Sequence, residues 1–419
     1  MPLGPSWDDV RLTRWSSAGR SVGQTWPMDD GWDPIRVRVG GDDEHPAGPR
    51  KKVRHLSVAS EPIIGPGPEA DDEVDVTLPR LARHEITLPD GHTVGVAVCG
   101  RGVPLVVVHG FSAEGILYAQ TLSRLVDLGF KVIAVDTAGH GGTLGLPTGA
   151  ASMTSYAELL GRVLDHLGVR EAVLAGHSMG GRLVTELAAT DPSRVIAVIL
   201  LDAIVGDTWD RMVNLFRVFP PLLVGVGATL VVDTITTVPW FGNPRQALKL
   251  GRLVAPTIQS HLRRPWRLLG PAASILRSRG TKWMLDTLRD EKIPVFAIHG
   301  DRDLAVPLAT AKDAARRSRG DLIIVKGGSH SWLLKDPETL PSIMHALMRG
   351  RLGTAVLKAQ LRHGVDPVDA SDDEVEAALY APDALVLDLT PRQRAHDTED
   401  LHRPPRYQWE VHPARSRGD

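Results

Sequence analysis

A serine between two glycines constrains the fold of this chain more than any other feature. It occurs in Gly176-His177-Ser178-Met179-Gly180, a G-x-S-x-G motif that follows an apolar run, residues 173–175, and precedes a helix-like run, residues 181–190. In a sharp strand-to-helix turn of this kind the serine is strained, and side chains two positions away on either side would clash. We therefore predict that Ser178 projects above a sheet at the N-terminus of a helix, where negative charge is favoured.

Size and charge exclude several classes of protein. The chain has 419 residues, 42% of them hydrophobic, and a net charge of -2, which suits one large domain with additions or two domains. This charge balance argues against nucleic acid as the main partner. Cys99 is the single cysteine, so no internal disulfide forms, which fits a reducing compartment. No signal-peptide pattern opens the chain and no run reaches about 18 apolar residues, so we expect a cytoplasmic protein.

The pattern of apolar residues divides the chain into five parts. Residues 1–80 carry proline, glycine and charge in blocks, which predicts a disordered or loosely packed arm. Residues 81–203 and 291–349 contain a hairpin and then alternating strands and helices, which predicts an α/β fold with a mostly parallel central sheet and helices on both faces. Residues 204–290 are helix-like and predict a helical cap over the carboxyl edge of the sheet. Residues 350–419 are predicted to be a partly disordered C-terminal extension.

We expect the segments before about 80 and after about 350 to make few contacts with the core. Within the C-terminal extension, residues 372–379 have the pattern of a helix.

Acid and histidine candidates follow the serine in the chain, each just past a predicted strand. Asp303 ends Gly300-Asp301-Arg302-Asp303, and His330 lies in Gly328-Ser329-His330. A serine hydroxyl needs a base to take its proton, and that base needs a carboxylate to orient it. The order serine, acid, histidine is that of α/β-hydrolases. Asp202, which follows an earlier strand, is the alternative acid.

Five motifs together resemble the α/β-hydrolase superfamily, in the group of serine esterases, C–C hydrolases and cofactor-free haloperoxidase-like enzymes. They cover about residues 83–349. These motifs are His109-Gly110-Phe111, Asp136-x-x-Gly139-His140-Gly141-Gly142-Thr143, the Ser178 motif, His299-Gly300-Asp301-Arg302-Asp303 and Gly328-Ser329-His330. In the G-D-x-D pattern of that family the second acid is catalytic, which implies Asp303. Ala138 stands where many relatives have arginine, a departure that concerns a supporting loop.

The resemblance implies a role for each site residue. Ser178 attacks a carbonyl carbon, His330 acts as general base and then as general acid, and Asp303 orients His330. The backbone N–H groups of Met179 and Phe111 form the implied oxyanion hole. We expect His330 Nε2 to lie within about 3 Å of Ser178 Oγ, with a looser contact in the free protein.

Neither a cofactor nor a metal is expected. No zinc-binding motif or Cys/His cluster occurs, and the histidines near predicted strand ends are interpreted as structural hydrogen-bonders. These histidines are His109, His140, His177 and His299. A serine at this turn, in place of aspartate, excludes the chemistry of epoxide hydrolases and haloalkane dehalogenases.

Most of the apolar residues between 216 and 241 are expected to pack the cap. A surplus of them predicts a pocket for a lipophilic ester or thioester. The basic run 261–267, continued by Arg277, Arg279 and Lys282, is either a solvated face or a contact with anionic head groups at a membrane surface. The pattern therefore predicts a small hydrophobic molecule as partner, with peripheral membrane contact through the cap as an open alternative.

Three functions remain open at this point. The first is a serine hydrolase that cleaves a carboxylic ester through an acyl-enzyme. The second is a C–C bond hydrolase or an acyltransferase with the same triad. The third is a non-catalytic ligand-binding or scaffold protein on a hydrolase fold, in which Ser178 would be an ordinary turn serine. The sequence does not determine the exact substrate, the acyl acceptor or the oligomeric state.

Overall fold

The structure, a computed structural model, describes residues 35–37, 79–111, 119–146, 152–237, 269–366, 370–389, 392–393 and 404–414. Nearly all of the predicted N-terminal arm lies outside these residues. The strands are β1 Ile35–Val37, β2 Pro79–Arg80, β3 Ala82–Thr87, β4 Thr93–Cys99, β5 Val103–Val108, β6 Phe130–Val135, β7 Ala172–His177, β8 Val195–Leu201, β9 Val295–Gly300, β10 Asp321–Val325, β11 Arg392–Gln393 and β12 Trp409–His412.

The described helices lie between these strands, singly or in groups. They are α1 Ala119–Ser123, α2 Met153–Leu167, α3 Met179–Thr190, α4 Asp207–Val218, α5 Pro221–Thr237, α6 Leu269–Arg277, α7 Lys282–Asp290, α8 Leu308–Ser318, α9 Trp332–Lys335, α10 Thr339–Met348, α11 Arg351–Arg362, α12 Asp372–Leu379 and α13 Leu385–Asp388, with 3-10 turns at Val126–Leu128 and Pro192–Arg194. No described helix has the length and apolar character that a membrane span requires.

The central sheet has the order β1-β12-β10-β9-β8-β7-β5-β6-β4-β3. Its six middle strands, from β10 to β6, run parallel, and the pairs at both ends are antiparallel. Every residue of β5, β7 and β8 is buried, as expected for strands with helices on both faces. The predicted α/β architecture, with its mostly parallel central sheet, is confirmed.

Local signals explain where the elements begin and end. The β3–β4 hairpin turns at Gly91, whose φ of 82° is accessible to glycine without strain. Helix α2 is capped at its N-terminus by Ser152, whose hydroxyl accepts a hydrogen bond from the Ser155 N–H at 3.0 Å, and at its C-terminus by Gly168 with a φ of 73°. Helix α3 is buried over its first eleven residues and packs against β7. The helix behind Ser178 is thus part of the core.

Helices α4 to α7 lie between β8 and β9, the position predicted for the cap. Helix α7 packs against α3 and α8, whereas α5 packs against α4 and α9. The Asp233 carboxylate of α5 accepts a hydrogen bond from the Ser331 N–H at 2.7 Å, which ties this helix to the loop after β10. Residues 238–268, with the basic run 261–267 and the last apolar residues of the predicted pocket, lie outside the described residues.

The expectation that residues before about 80 and after about 350 make few contacts with the core is wrong. Strand β1 of the N-terminal arm pairs with β12 at the end of the central sheet. Helix α11 packs on α10 and β8, and β12 pairs with β10 in the central sheet. Helix α12 has the predicted bounds, and its Glu376 accepts hydrogen bonds from the Gly102 N–H at 3.2 Å and from Arg101 at 2.8 Å. Strand β12 has only four residues, too few to show a clear alternation of apolar and polar residues. Its pairing is therefore decided by its partner strand and could not be predicted from its own sequence.

Candidate active site

Ser178 lies in the turn between β7 and α3 with φ 52° and ψ -116°. This conformation is strained for any residue with a side chain. Three backbone hydrogen bonds hold it: the Ser178 N–H donates to Leu201 O at 2.8 Å, and its carbonyl accepts from the N–H groups of Gly181 at 3.1 Å and Ile204 at 3.2 Å. The turn between strand and helix is the one predicted.

The glycines around the serine are required by close backbone contacts. A Cβ atom on Gly176 would lie 2.4 Å from the Gly180 carbonyl oxygen. One on Gly180 would lie 2.1 Å from Val108 O, and one on Gly181 would lie 2.4 Å from the Ala203 Cβ. Any larger residue at these positions would push α3 away from the sheet and move the serine.

Asp303 and His330 meet at the carboxyl edge of the sheet. His330 Nδ1 lies 2.7 Å from Asp303 Oδ2. The other oxygen, Asp303 Oδ1, accepts hydrogen bonds from the N–H groups of Ala305 and Val306, both at 2.8 Å. Both side chains are buried. The Asp303 carboxylate is therefore fixed by its own loop and holds one nitrogen of the His330 ring.

Asp202, the alternative acid, makes different contacts. Its Oδ1 accepts a hydrogen bond from the Gly300 N–H at 2.8 Å, and its Oδ2 accepts one from Trp332 Nε1 at 2.7 Å. Its φ of 46° is also strained. Asp202 thus joins the end of β9 to α9, and it forms no hydrogen bond with His330 among the described residues. Sequence reasoning assigned no role to Trp332, because nothing in the sequence pairs it with a carboxylate that lies 130 positions away.

The His330 ring lies beside the serine turn. Its centroid is 4.7 Å from that of His177, the residue before Ser178, and His177 Nε2 donates a hydrogen bond to the His330 carbonyl at 3.1 Å. In the described part of the chain no hydrogen bond joins His330 Nε2 to Ser178 Oγ. The contact of about 3 Å therefore stays a prediction for the substrate complex, because such bonds often tighten only there.

The Gly110–Phe111 backbone lies against the nucleophile. A Cβ atom on Gly110 would be 3.1 Å from the Ser178 Cβ. His140 Nε2 donates to the Phe111 carbonyl at 2.6 Å. His109 Nε2 accepts from the Thr137 N–H at 2.9 Å, so its Nδ1 carries the proton and donates to the Gly110 carbonyl at 2.8 Å. These two buried histidines fix the peptide that carries one implied oxyanion donor.

The two implied oxyanion donors have no acceptor within the described part of the chain. Met179 is the first residue of α3, so its N–H has no acceptor within the helix. Among the residues that the structure describes, neither the Met179 N–H nor the Phe111 N–H donates a hydrogen bond. Two such N–H groups beside a serine form an arrangement that can stabilise an oxyanion.

The carboxylates around His330 and its burial shift its pKa in opposite directions. Burial by itself lowers the pKa of the His330 imidazolium, but the charge of Asp303 and the hydrogen bond to it raise that pKa above its usual value, with help from Asp202 and Asp233. Burial raises the pKa of Asp303, but the charge and hydrogen bond of His330 outweigh it and lower that pKa. Burial, followed by the charge of His330, lowers the pKa of His177 to about 3. His177 therefore stays neutral, and His330 is the histidine suited to take up a proton.

A metal does not fit the buried acids of this site. Asp202, His299 and Asp303 bring ligand atoms within 4.8 Å of one another, the only such cluster in the described ranges. Each of the four carboxylate oxygens already accepts a hydrogen bond from an N–H group, as described above. His299 Nε2 donates to the Val306 carbonyl at 2.8 Å. The four histidines expected to be structural all form such hydrogen bonds.

The chain is similar in sequence to known proteins. The family model described as "Alpha/beta hydrolase family" matches residues 105–340. The "Putative non-heme haloperoxidase" of Mycobacterium phage D29 is 34% identical over 272 residues, which are 61% of this chain and 91% of that protein. The non-heme haloperoxidase of Rhodococcus erythropolis is 27% identical over 243 residues, 55% of this chain and 85% of that protein.

Solved structures show the same fold at low sequence identity. A bacterial membrane phospholipase A has a TM-score of 0.52 at 20% identity, covering 66% of this chain and 88% of that one. A structure from work on carboxylesterases of Nitrososphaera gargenis has a TM-score of 0.50 at 21% identity, covering 66% of this chain and 100% of that one. The residues that match the family model, 105–340, include Ser178, Asp303 and His330.

Proposed function

Because the chain belongs to the alpha/beta hydrolase family, we propose that it is a serine hydrolase that cleaves a carboxylic ester through an acyl-enzyme intermediate. The observation that carries this proposal is the 2.7 Å hydrogen bond between His330 Nδ1 and Asp303 Oδ2, next to a serine in a strained turn. A carboxylate that holds one ring nitrogen leaves the other, His330 Nε2, to take a proton from a hydroxyl.

In the proposed reaction Ser178 Oγ attacks the ester carbonyl carbon while its proton passes to His330 Nε2. The charge of Asp303 stabilises the resulting imidazolium, and the N–H groups of Met179 and Phe111 stabilise the oxyanion. His330 then gives the proton to the leaving alcohol, and the acyl group stays on Ser178. A water molecule deprotonated by His330 attacks the acyl carbon, releases the acid and restores the serine hydroxyl.

We propose a lipophilic acyl ester or thioester as the substrate. Helix α5 has a single ionisable residue, Asp233, and the hydrogen bond from Asp233 to the Ser331 N–H holds this apolar helix next to the loop that carries His330. Leu223, Val226 and Leu230 of α5 pack against the core. An apolar helix beside the reacting groups supports binding of an acyl chain.

A second candidate function is suggested by the relatives named as haloperoxidases. Hydrogen peroxide is a nucleophile that can replace water in the last step. Its oxygen bonds to the acyl carbon as the bond to Ser178 breaks, and the product is a peroxycarboxylic acid. That product oxidises a halide ion to hypohalous acid and becomes the carboxylic acid. The residues of the site are the same, and only the acyl acceptor differs.

Labelling combined with an ester series tests both candidates. We expect a fluorophosphonate probe to label the wild-type chain on Ser178, identified by mass spectrometry of the peptide. We expect kcat/KM for p-nitrophenyl esters to rise from acetyl to longer acyl chains, because each buried methylene group contributes about 0.8 kcal/mol. A folded protein that resists the probe would contradict the serine hydrolase, and a flat chain-length series would contradict the lipophilic substrate. Halide oxidation that outpaces ester hydrolysis in peroxide would favour the second candidate.

We also propose that the cap contacts an anionic lipid surface. Exposed apolar side chains cluster on α4, α5 and the turn between them: Leu215, Val218, Phe219, Leu222, Val224 and Val232. Arg217 at the end of α4 donates hydrogen bonds to the carbonyls of Leu276 and Ser278. The apolar cluster therefore lies beside three cationic residues near these carbonyls, Arg277, Arg279 and Lys282. Among the described residues these three cations form no ion pair. Exposed apolar side chains beside unpaired cations suit a surface of anionic head groups.

Vesicle flotation measures this contact. We expect more protein to float with phosphatidylglycerol vesicles than with phosphatidylcholine vesicles, and less after Val218→Ser combined with Phe219→Ser. Leu361→Ser is the matched control, because Leu361 is 45% exposed on α11, outside the cap cluster. Equal flotation of wild type and double variant would contradict the contact, as would association of two copies through this face in sedimentation experiments without lipid.

A further inference from the structure

We propose that residues 404–414, here named the C-terminal brace, position His330 for catalysis. The brace lies beyond residues 105–340, the part of the chain that matches the family. It contacts the chain both before and after His330. The inference rests on the proposed function, since it assigns a task to residues that act on the proposed general base without touching the substrate.

Before His330, the brace holds the strand that leads to the histidine loop. Strand β12 pairs antiparallel with β10, with Trp409 opposite Val325 and His412 opposite Leu322. The pairing continues past the end of β10, because the Lys326 N–H donates to Gln408 O at 2.8 Å. Lys326 Nζ also lies 3.0 Å from Glu410 Oε2. The brace thus covers the outer side of β10, which would otherwise be a sheet edge.

After His330, the brace holds the short helix α9 and the start of α10. Tyr407 is 8% exposed, and its ring meets that of Trp332 edge to face, with centroids 6.3 Å apart. The Arg406 N–H donates to Asp336 Oδ2 at 2.8 Å, and the Tyr407 N–H donates to Thr339 Oγ1 at 3.3 Å. The chain on the far side of the histidine is therefore fixed by the same segment.

The contact between Tyr407 and Trp332 reaches the acid loop as well. Trp332 is fully buried, and its Nε1 donates to Asp202 Oδ2 at 2.7 Å. Asp202 Oδ1 in turn accepts from the N–H of Gly300, three residues before Asp303. One chain of contacts thus runs from Tyr407 through Trp332 and Asp202 to the loop that carries the acid.

The loop between β10 and His330 needs such support. It contains Gly327, with a φ of 72°, and Gly328, so its backbone has more conformational freedom than most. Catalysis depends on the position of the base, and a displacement of about 1 Å can lower the rate by about 100-fold. Tyr407 is therefore assigned as a positioning residue that acts on His330 through Trp332.

The test compares two substitutions of Tyr407. Tyr407→Leu removes the ring that meets Trp332, and we expect kcat for p-nitrophenyl butyrate to fall by about 10- to 100-fold, with KM nearly unchanged. Tyr407→Phe keeps the ring, so we expect it to retain kcat near the wild-type value. If Tyr407→Leu does not fold, Tyr407→Met, which keeps more of the side-chain volume, is measured in the same way.

Tyr380→Leu is the matched control. Tyr380 is a second buried tyrosine of the C-terminal extension, and its hydroxyl donates to Gly102 O at 3.1 Å. Gly102 directly precedes β5, so this contact lies at the opposite edge of the sheet from His330. We expect Tyr380→Leu to lower the unfolding temperature and to retain kcat. Equal losses of kcat in Tyr380→Leu and Tyr407→Leu would overturn the brace, as would a folded Tyr407→Leu with wild-type kcat.

A measurement without substrate separates failure of the brace from failure of the proposed function. The proton on His330 Nδ1, hydrogen-bonded to Asp303, is expected to give a low-field proton resonance. We expect this resonance to broaden or shift in Tyr407→Leu and to stay unchanged in Tyr380→Leu. An unchanged resonance in Tyr407→Leu would overturn the brace even if the wild type hydrolyses esters. A wild type that neither reacts with the probe nor hydrolyses esters would overturn the function, whatever the resonance does.

Discussion

Replacing Ser178 by alanine is expected to lower kcat for ester hydrolysis by about 10⁶-fold. The side-chain oxygen forms the covalent bond to the acyl group, so no other group in the turn can replace it. The N–H groups of Met179 and Phe111 remain in place, and they should leave a small residual rate above that in water. KM is expected to change little, since the hydroxyl contributes little to ground-state binding. Initial rates with p-nitrophenyl butyrate give both constants.

Two further variants separate lost chemistry from lost structure. Ser342→Ala removes a hydroxyl from α10 that donates only to the Glu338 carbonyl of its own helical turn, and it should retain full activity. Ser178→Gly should be as inactive as Ser178→Ala but more stable, because glycine adopts a φ of 52° and a ψ of -116° without the backbone strain of about 1–3 kcal/mol. An alanine variant that keeps a substantial share of wild-type kcat would remove Ser178 from the mechanism.

The serine turn could be predicted from the sequence because its causes are local. Gly176 and Gly180 are close to Ser178 in the chain, and a Cβ atom on Gly176 would meet Gly180 within the same strand–turn–helix unit. The contact that forbids a Cβ atom on Gly180 is made with Val108 of the neighbouring strand β5, but the motif itself marks that glycine. The alternating pattern similarly predicted the parallel strands, since each buried strand is apolar on both faces.

The choice of acid could not be made from the residues alone. Asp202 and Asp303 both follow buried strands, and nothing in their local sequence tells which of them faces His330. Their partners differ through contacts made across long stretches of chain: Asp202 accepts from Trp332, whereas Asp303 meets the ring. The family resemblance favoured Asp303, and the geometry brings that residue to the histidine.

The C-terminal brace was missed for a related reason. A strand of four residues has little pattern of its own, and its stability comes from the ladder with β10 and from the burial of Tyr407 and Trp409. The pattern of apolar residues within one segment does not indicate which strand it will pair with or which side chains will cover it. Helix α12, in contrast, carries its own start signal, the capping box of Ser371 and Glu374, and was predicted with the correct bounds.

Replacing Asp303 by asparagine is expected to lower kcat by about 10⁴-fold and to move the pH dependence. The base must be neutral to accept the serine proton, so wild-type activity should rise with pH through the pKa of His330, which Asp303 raises above its usual value. Without the charge of Asp303 that pKa falls, so the rise in the residual activity should move to lower pH. A profile of kcat/KM against pH for both proteins measures this shift.

Asp202→Asn is the matched control, because it changes the other buried acid of the site. Asp202 accepts from two N–H groups, and an amide can accept from only one of them. One buried donor is then unsatisfied, which should cost about 1–3 kcal/mol of stability. Since Asp202 forms no hydrogen bond with the His330 ring, the loss of kcat in Asp202→Asn should be far smaller than that in Asp303→Asn. If Asp202→Asn instead loses the larger share of kcat while remaining folded, the carboxylate that serves the base is Asp202, and the 2.7 Å contact at Asp303 has another purpose.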